Sequence, residues 1–209
     1  MKSKKELAVL LSKLKTFENP NVNLEQYQTD SEVASFVAWQ INLEKKFENK
    51  SVADLGSGNG ILGFSASLLS AKIVYLVDSD KNAVKVSEEN KKTLEKFVGQ
   101  KLNVKIINSG VDDFKEKVDI VMENPPFGVQ RRKADKIFLE KAMEISDLIY
   151  SFHKTGSDDF IKKICKENNF SAIKIKEFNF PIKKTLKFHN KETYFVKVDL
   201  WLIERLKKA

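Results

Sequence analysis

With 209 residues, 42% of them apolar and 15 of them Phe, the chain can fill one substantial core; this excludes wholesale disorder and two full-sized domains. A single cysteine, Cys165, excludes an internal disulfide and any cysteine-based zinc site. The net charge of +8 is unevenly spread, since residues 171–209 carry ten basic and four acidic side chains, which is the footprint of a polyanion-binding surface or of a solvated lysine-rich exterior.

In chain order, "KKELAVLLSKLKTF" repeats Leu7, Leu10, Leu11 and Leu14 at helical spacing and predicts a first helix ending near Pro20. Its apolar block is too short and too interrupted for a membrane span or signal peptide, so a cytoplasmic protein is expected. Thr29, Asp30 and Ser31 are cap-type residues, and Val33, Val37 and Ile41 form the stripe of a second helix. From residue 51 short apolar runs alternate with helical stretches: "SVADL", a helix from Ile61, "KIVYLVD", a helix over 81–97, "NVKII" and "VDIVMEN". Such alternation predicts right-handed crossovers and a parallel sheet. A helix near 134–146, a strand "LIYSFH" and a helix near 157–168 follow. Two period-two runs, "FSAIKIKEFNF" and "TYFVKVDLWLIER", predict a closing antiparallel hairpin. Cys165, at helical spacing with Phe160, Ile161 and Ile164, reads as a buried packing thiol. The expectation is one α/β domain over 1–209, with a helical cap at 1–48 on a core at 49–209.

"VADLGSGNGILG" joins a buried strand to a helix start through Gly56, Gly58 and Gly60. Glycines allow a sharp turn and close backbone approach to a ligand, and a helix N-terminus offers N–H groups. Gly58, Gly60 and Gly63 also satisfy G-x-G-x-x-G, but the preceding "DLG" and the lack of a nicotinamide-site signature argue against a dinucleotide. Asp78, at the end of the second strand and 18 residues after Gly60, is placed to accept both hydroxyls of a ribose. Asp80 reads as the cap of the next helix.

"ENPPFG" (123–128) follows the fourth strand, and its two prolines fix two φ angles and remove two donors. An exocyclic amine is a poor nucleophile because its lone pair is delocalised into the ring. The side-chain oxygen of Asn124 and the carbonyl of Pro125 could each accept one N–H and localise that lone pair. Pro125 and Pro126 would hold the acceptors still, and Phe127 would stack on the flipped base.

"DLGSGNG" resembles the first motif of the class I S-adenosyl-L-methionine (SAM) dependent methyltransferases, and "NPPF" resembles the N-P-P-[YF] signature of their amino-methylating members. With "LEQYQT" (24–29), "IYSFHK" (149–154) and "LKFHNK" (186–191), the chain is similar over about 17–202 to the methyltransferase-like family that makes N6-methyladenosine in small-subunit ribosomal RNA; the composition suits an archaeal member. The resemblance implies a Rossmann-like, mostly parallel seven-stranded sheet with helices on both faces and an antiparallel C-terminal hairpin. It implies SAM held by Gln26, Thr29, Asp54, Gly56, Gly58, Asn59, Gly60, Ile61 and Asp78, with Gly110 and Val111 facing the adenine. Relatives carry an acid where Gly110 stands, so Asp112 or the Val111 N–H would do the reading here. Asn124, Pro125, Pro126 and Phe127 would be the catalytic corner.

Arg131, Arg132, Lys133, Lys154, Lys187, His189 and Lys191 are candidates for a phosphate-binding rim around the pocket. The two histidines, His153 and His189, lack the companions of a metal site, so no metal is expected; each reads as an RNA contact or a satisfied structural group. The family also implies a heterodimer with a small zinc-containing activator protein paired along a sheet edge, for which "NVKII" is the candidate. Methylation of guanine N2 or of a protein glutamine amide, and a noncatalytic RNA-binding subunit, are the competing readings.

Overall fold

The computed structural model describes residues 1–16, 29–44, 47–126, 134–183 and 193–207. Its strands are β1 (Ser51–Leu55), β2 (Ile73–Asp78), β3 (Val104–Asn108), β4 (Ile120–Glu123), β5 (Leu148–Lys154), β6 (Phe170–Lys183) and β7 (Thr193–Arg205), and its helices are α1 (Lys4–Leu11), α2 (Ser31–Glu44), α3 (Ile61–Leu68), α4 (Lys81–Val98), α5 (Ala134–Ile145) and α6 (Asp158–Glu167). They form one seven-stranded sheet in the order β3-β2-β1-β4-β5-β7-β6. β1 to β5 are parallel, and β7 enters antiparallel between β5 and β6. The predicted mostly parallel sheet with a closing antiparallel hairpin is therefore the observed one.

Both sheet faces are covered, as expected for strands that read as nearly continuous apolar runs. One core packs Leu7, Leu11, Val37, Ile41, Phe64 and Leu94 from α1 to α4 against Val52, Val74 and Tyr150. The other packs Leu139, Met143, Ile161, Ile164 and Cys165 from α5 and α6 against Leu55, Val121, Ile149 and Trp201. Cys165 is buried as expected, and burial pushes its thiol up to about 11.

α1 ends at Leu11, well short of Pro20, and turns through Lys13 N–H to the Leu10 carbonyl. α4 is capped by the Asp80 side chain accepting from the Asn82 N–H at 2.9 Å, and it closes on Gly99 at φ +71°. β6 carries an irregularity: Lys174 pairs with Trp201, but Lys176 pairs with Leu200. One extra residue there turns Lys174 toward Trp201 and Asp199 on one face and Lys176 over the Phe36 ring on the other. Among the described residues no helix is long and apolar enough to cross a membrane.

Candidate active site

The site is assembled by strand register. Leu55, the last residue of β1, pairs with Val77 on one side and Glu123 on the other. The glycine loop after Leu55, Asp78 after Val77 and Asn124 after Glu123 thus stand within a residue of one row at the carboxyl edge of three adjacent strands. Asp78 pairs in turn with Asn108, which sets Gly110 and Val111 next along the same edge. This is where α/β sheets bind ligands.

The loop between β1 and α3 has Gly56, Gly58 and Gly60 at φ +65°, +56° and +84°, which other residues adopt only with strain. Ser57 N–H donates to the Val77 carbonyl at 3.0 Å and Gly58 N–H donates to Asp78 Oδ2 at 2.8 Å, so the loop is fastened to β2. Asp78 Oδ1 accepts from Asp80 N–H at 2.8 Å. Burial holds the Asp78 carboxyl above the usual range, opposed by the N–H groups of Asp80 and Gly58. Asp54 lies beneath the loop rather than on its surface. Its Oδ2 accepts from Gly63 N–H at 2.8 Å, pinning α3 to β1, and burial raises its pKa to about 7. Ile61 begins α3 and is buried.

Asn59 is buried as well. It caps α3 through Oδ1 and donates from Nδ2 to the Lys15 carbonyl at 3.1 Å. Asn90 of α4, fully buried, completes a latch: Lys15 N–H donates to its Oδ1 at 2.7 Å, and its Nδ2 donates to the carbonyls of Asn59 at 3.0 Å and Lys15 at 3.2 Å. Ser87, a turn earlier, donates to the Gly58 carbonyl at 2.9 Å. Sequence reasoning missed both. Their signal was two polar residues on the buried stripe Ala83, Ser87, Asn90 and Leu94 of an otherwise charged helix.

At the corner after β4, Pro125 is buried and Asn124 half-buried, and Asn124 Nδ2 donates to Thr29 Oγ1 at 3.2 Å. Thr29 is itself buried at the entrance to α2. Gly110, at φ −64°, leads into a single 3-10 turn at Val111–Asp113. Asp112 is exposed on that turn. Lys154 is exposed at the end of β5, whereas its neighbour His153 is buried. Gln26, Phe127, Arg131, Arg132, Lys133, Lys187, His189 and Lys191 lie outside the described residues. No group of His, Cys, Asp and Glu among the described residues could hold a metal ion.

The donor set has the right chemistry for a nucleoside carrying a methylated sulfur. Asp78, fixed by two backbone N–H groups, could accept ribose hydroxyls on its carboxylate; Gly58 turns the loop sharply beside it, Gly60 leaves room for the Phe64 and Leu76 side chains beneath, and a neutral amide stands one strand beyond. Fold and site together define a class I methyltransferase.

Residues 35–145 match the model of the family described as Methyltransferase small domain. The chain is 32% identical to MJ0284 of Methanocaldococcus jannaschii, over 99% of this chain and 96% of that one. It is also 32% identical to the rRNA N(6)-adenosine-methyltransferase METTL5 of Danio rerio, over 93% of this chain and 95% of that one. The crystal structure of PH1948 from Pyrococcus horikoshii superposes with a TM-score of 0.87 at 42% identity, covering 99% of this chain and all of that one. The chain belongs to the methyltransferase small domain family. It is an enzyme whose cofactor is SAM.

Proposed function

We propose that the protein methylates the N6 amino group of an adenosine in small-subunit ribosomal RNA. The observation that carries this reading is the bond from Asn124 to Thr29. It ties the amide to the entrance of α2, with the amide nitrogen toward Thr29 and the side-chain oxygen turned away from it, next to the buried Pro125. The similarity to METTL5 of Danio rerio along nearly the whole chain supports ribosomal RNA as the substrate class.

SAM supplies an electrophilic methyl group. Asp78 and the glycine loop would hold its ribose and flank, with Gly110 and Val111 toward the adenine. The Asn124 side-chain oxygen and the Pro125 carbonyl would accept the two N–H bonds of the target amine, drawing its lone pair out of the ring plane and toward the methyl carbon. Pro125 and Pro126 limit the corner's motion, and Phe127 would stack on the base. No titrating base is needed, because the proton can leave to water once the methyl has moved. Rate comes from placing two reactants in line.

In this reading Lys154 belongs to a basic rim with Arg131, Arg132, Lys133, Lys187, His189 and Lys191. The free edge of β3, which pairs with β2 alone among the described strands, is where a small zinc-containing activator protein would add a strand. The matches in M. jannaschii and P. horikoshii support an archaeal enzyme, read here as cytoplasmic and as one domain over 1–209 with a helical cap at 1–48 on a core at 49–209.

Labelled SAM incubated with unmodified small ribosomal subunits, with and without the activator, followed by nucleoside analysis, tests the reading. N6-methyladenosine is expected. Label on guanosine or on a protein glutamine would overturn it.

A further inference from the structure

Glu123, the residue immediately before Asn124, is fully buried, and its Oε1 accepts a 2.8 Å hydrogen bond from the Ser151 hydroxyl. Ser151 Oγ lies 2.8 Å from His153 Nε2, and both residues are buried. The three side chains line one face of the sheet among Val121, Ile149 and Trp201, and among the described residues no salt bridge reaches Glu123. A polar chain in apolar surroundings is costly, and apolar side chains of similar volume would serve stability at least as well. Glu123 Oε2 is buried without a hydrogen-bond partner among the described residues.

The location gives this chain a task. β4 pairs with β5 only through Val121, Met122 and Glu123, so Glu123 opposite Ser151 is the last rung of that ladder. Beyond it, Pro125 and Pro126 have no N–H to donate and cannot continue the pairing. The side-chain bond from Ser151 is thus the final tie between the end of β4 and its neighbour. Ser151 has one proton, so the chain is complete in one of two polarities: Ser151 donates to Glu123 and His153 to Ser151, or Glu123 donates to Ser151 and Ser151 to His153. In both, the positions of all three heavy atoms are fixed.

We propose that Glu123, Ser151 and His153 are positioning residues for methyl transfer: their buried chain fixes the end of β4 and with it the Asn124 amide and the Pro125 carbonyl. The proposal rests on the reading of Asn124 as the catalytic acceptor. It assigns the network to the transfer step and not to cofactor binding, because the glycine loop and Asp78 are held by separate bonds to β2 and α4.

The test measures single-turnover methyl transfer to ribosomal RNA, SAM affinity by calorimetry and thermal stability for the full chain and for Ser151→Ala, His153→Phe, His153→Gln and Asn124→Ala. Ser151→Ala and His153→Phe are expected to slow transfer about tenfold while SAM affinity stays within about twofold. His153→Gln, whose side-chain amide reaches the Nε2 position, is expected to recover most of the rate. Transfer at the wild-type rate in Ser151→Ala and His153→Phe overturns the proposal; so does a rate that falls only in step with SAM affinity, or a His153→Gln variant as slow as His153→Phe. The His153 pair keeps Ser151 and carries the comparison if Ser151→Ala does not fold. Full transfer by Asn124→Ala overturns the catalytic reading underneath, whereas loss in Asn124→Ala with none in the other three sinks the network alone.

Discussion

Asn124 and Thr29, separated by 95 positions in the chain, are joined by a hydrogen bond from the amide nitrogen to the threonine hydroxyl. Thr29 lies at the entrance to α2, so this bond holds the amide in place against a second element. Thr29→Val keeps the shape and removes the acceptor. It is expected to lower kcat about fivefold to tenfold, the worth of roughly 1 kcal/mol. Asn124→Ala removes the acceptor itself and should cost about two to three orders of magnitude in kcat, by analogy with other preorganised hydrogen-bonding groups. Steady-state kinetics with labelled SAM separates the two.

Asn90 joins the chain after α1 to the glycine loop through bonds to both backbone groups of Lys15 and to the Asn59 carbonyl. Asn90→Ala would strand several buried partners. A loss of about 2–3 kcal/mol in urea unfolding is expected, together with weaker SAM binding, because the loop loses its outer support. Asn90→Asp should be similarly poor, since it has no donor for the two carbonyls.

Buried groups make stability fall with alkalinity above pH 6.5. Burial raises Glu123 from 4.5 to about 8 and Asp54 from 3.8 to about 7, and it also lifts Asp78. The folded state holds these protons more tightly than the unfolded chain, so the stability they give is full at low pH and is lost as pH rises through the folded values. Burial lowers His153 from 6.5 to about 4, which acts oppositely: its contribution is full above 6.5 and is lost on acidification. Between about 4.5 and 6.5 His153 offsets only one of these carboxyls and makes the decline shallower, whereas from 6.5 to 8 the carboxyls act alone. There Glu123 contributes a slope of up to about 1.4 kcal/mol per pH unit. Denaturant unfolding of Glu123→Gln over that range should show a flatter decline than the parent. An unchanged slope would mean that Glu123 is ionised in the fold.

Gly63 and Gly99 separate steric from conformational demand. A Cβ on Gly63 would lie 2.1 Å from Leu76 Cδ2 and 3.1 Å from Asp54 Cβ, whereas on Gly99 it would meet nothing within 4 Å, but the backbone there has φ +71°. Gly63→Ala is expected to destabilise by about 1–3 kcal/mol through overpacking between α3 and the sheet. Gly99→Ala should cost about 1 kcal/mol from left-handed strain, with activity intact. Urea midpoints and the transfer rate at saturating SAM check both.

Local pattern sufficed wherever an element is built from its own sequence. The three glycines before Ile61, the acid closing β2 and the prolines after β4 were readable because each sits at a strand end, where composition and position agree. α1 was misjudged because Leu14 keeps the helical period while Asn59 and Asn90, 44 and 75 residues away, bond the backbone at Lys15 and draw it out of the helix. His153 was ambiguous for a similar reason. Nothing near it in sequence shows that Glu123, on the neighbouring strand β4, reaches the Ser151 hydroxyl beside it. Among the residues proposed for RNA, Lys154 alone lies within the described part of the chain.

The extra residue in β6 has a consequence for how this protein tolerates change. Past Lys176, Phe178 and Phe180 stack with Phe36 and Phe152 on the α2 side. Those residues lie opposite Leu200, Val198 and Val196, so removing Ile175 would restore simple alternation between Lys174 and Lys176 and leave both rings on the same side as Phe36. What its lineage must preserve is therefore the facing of Phe178 on Val198 and of Phe180 on Val196 and not the count of residues before them, so a gap at Ile175 should be tolerated wherever those two pairs are kept.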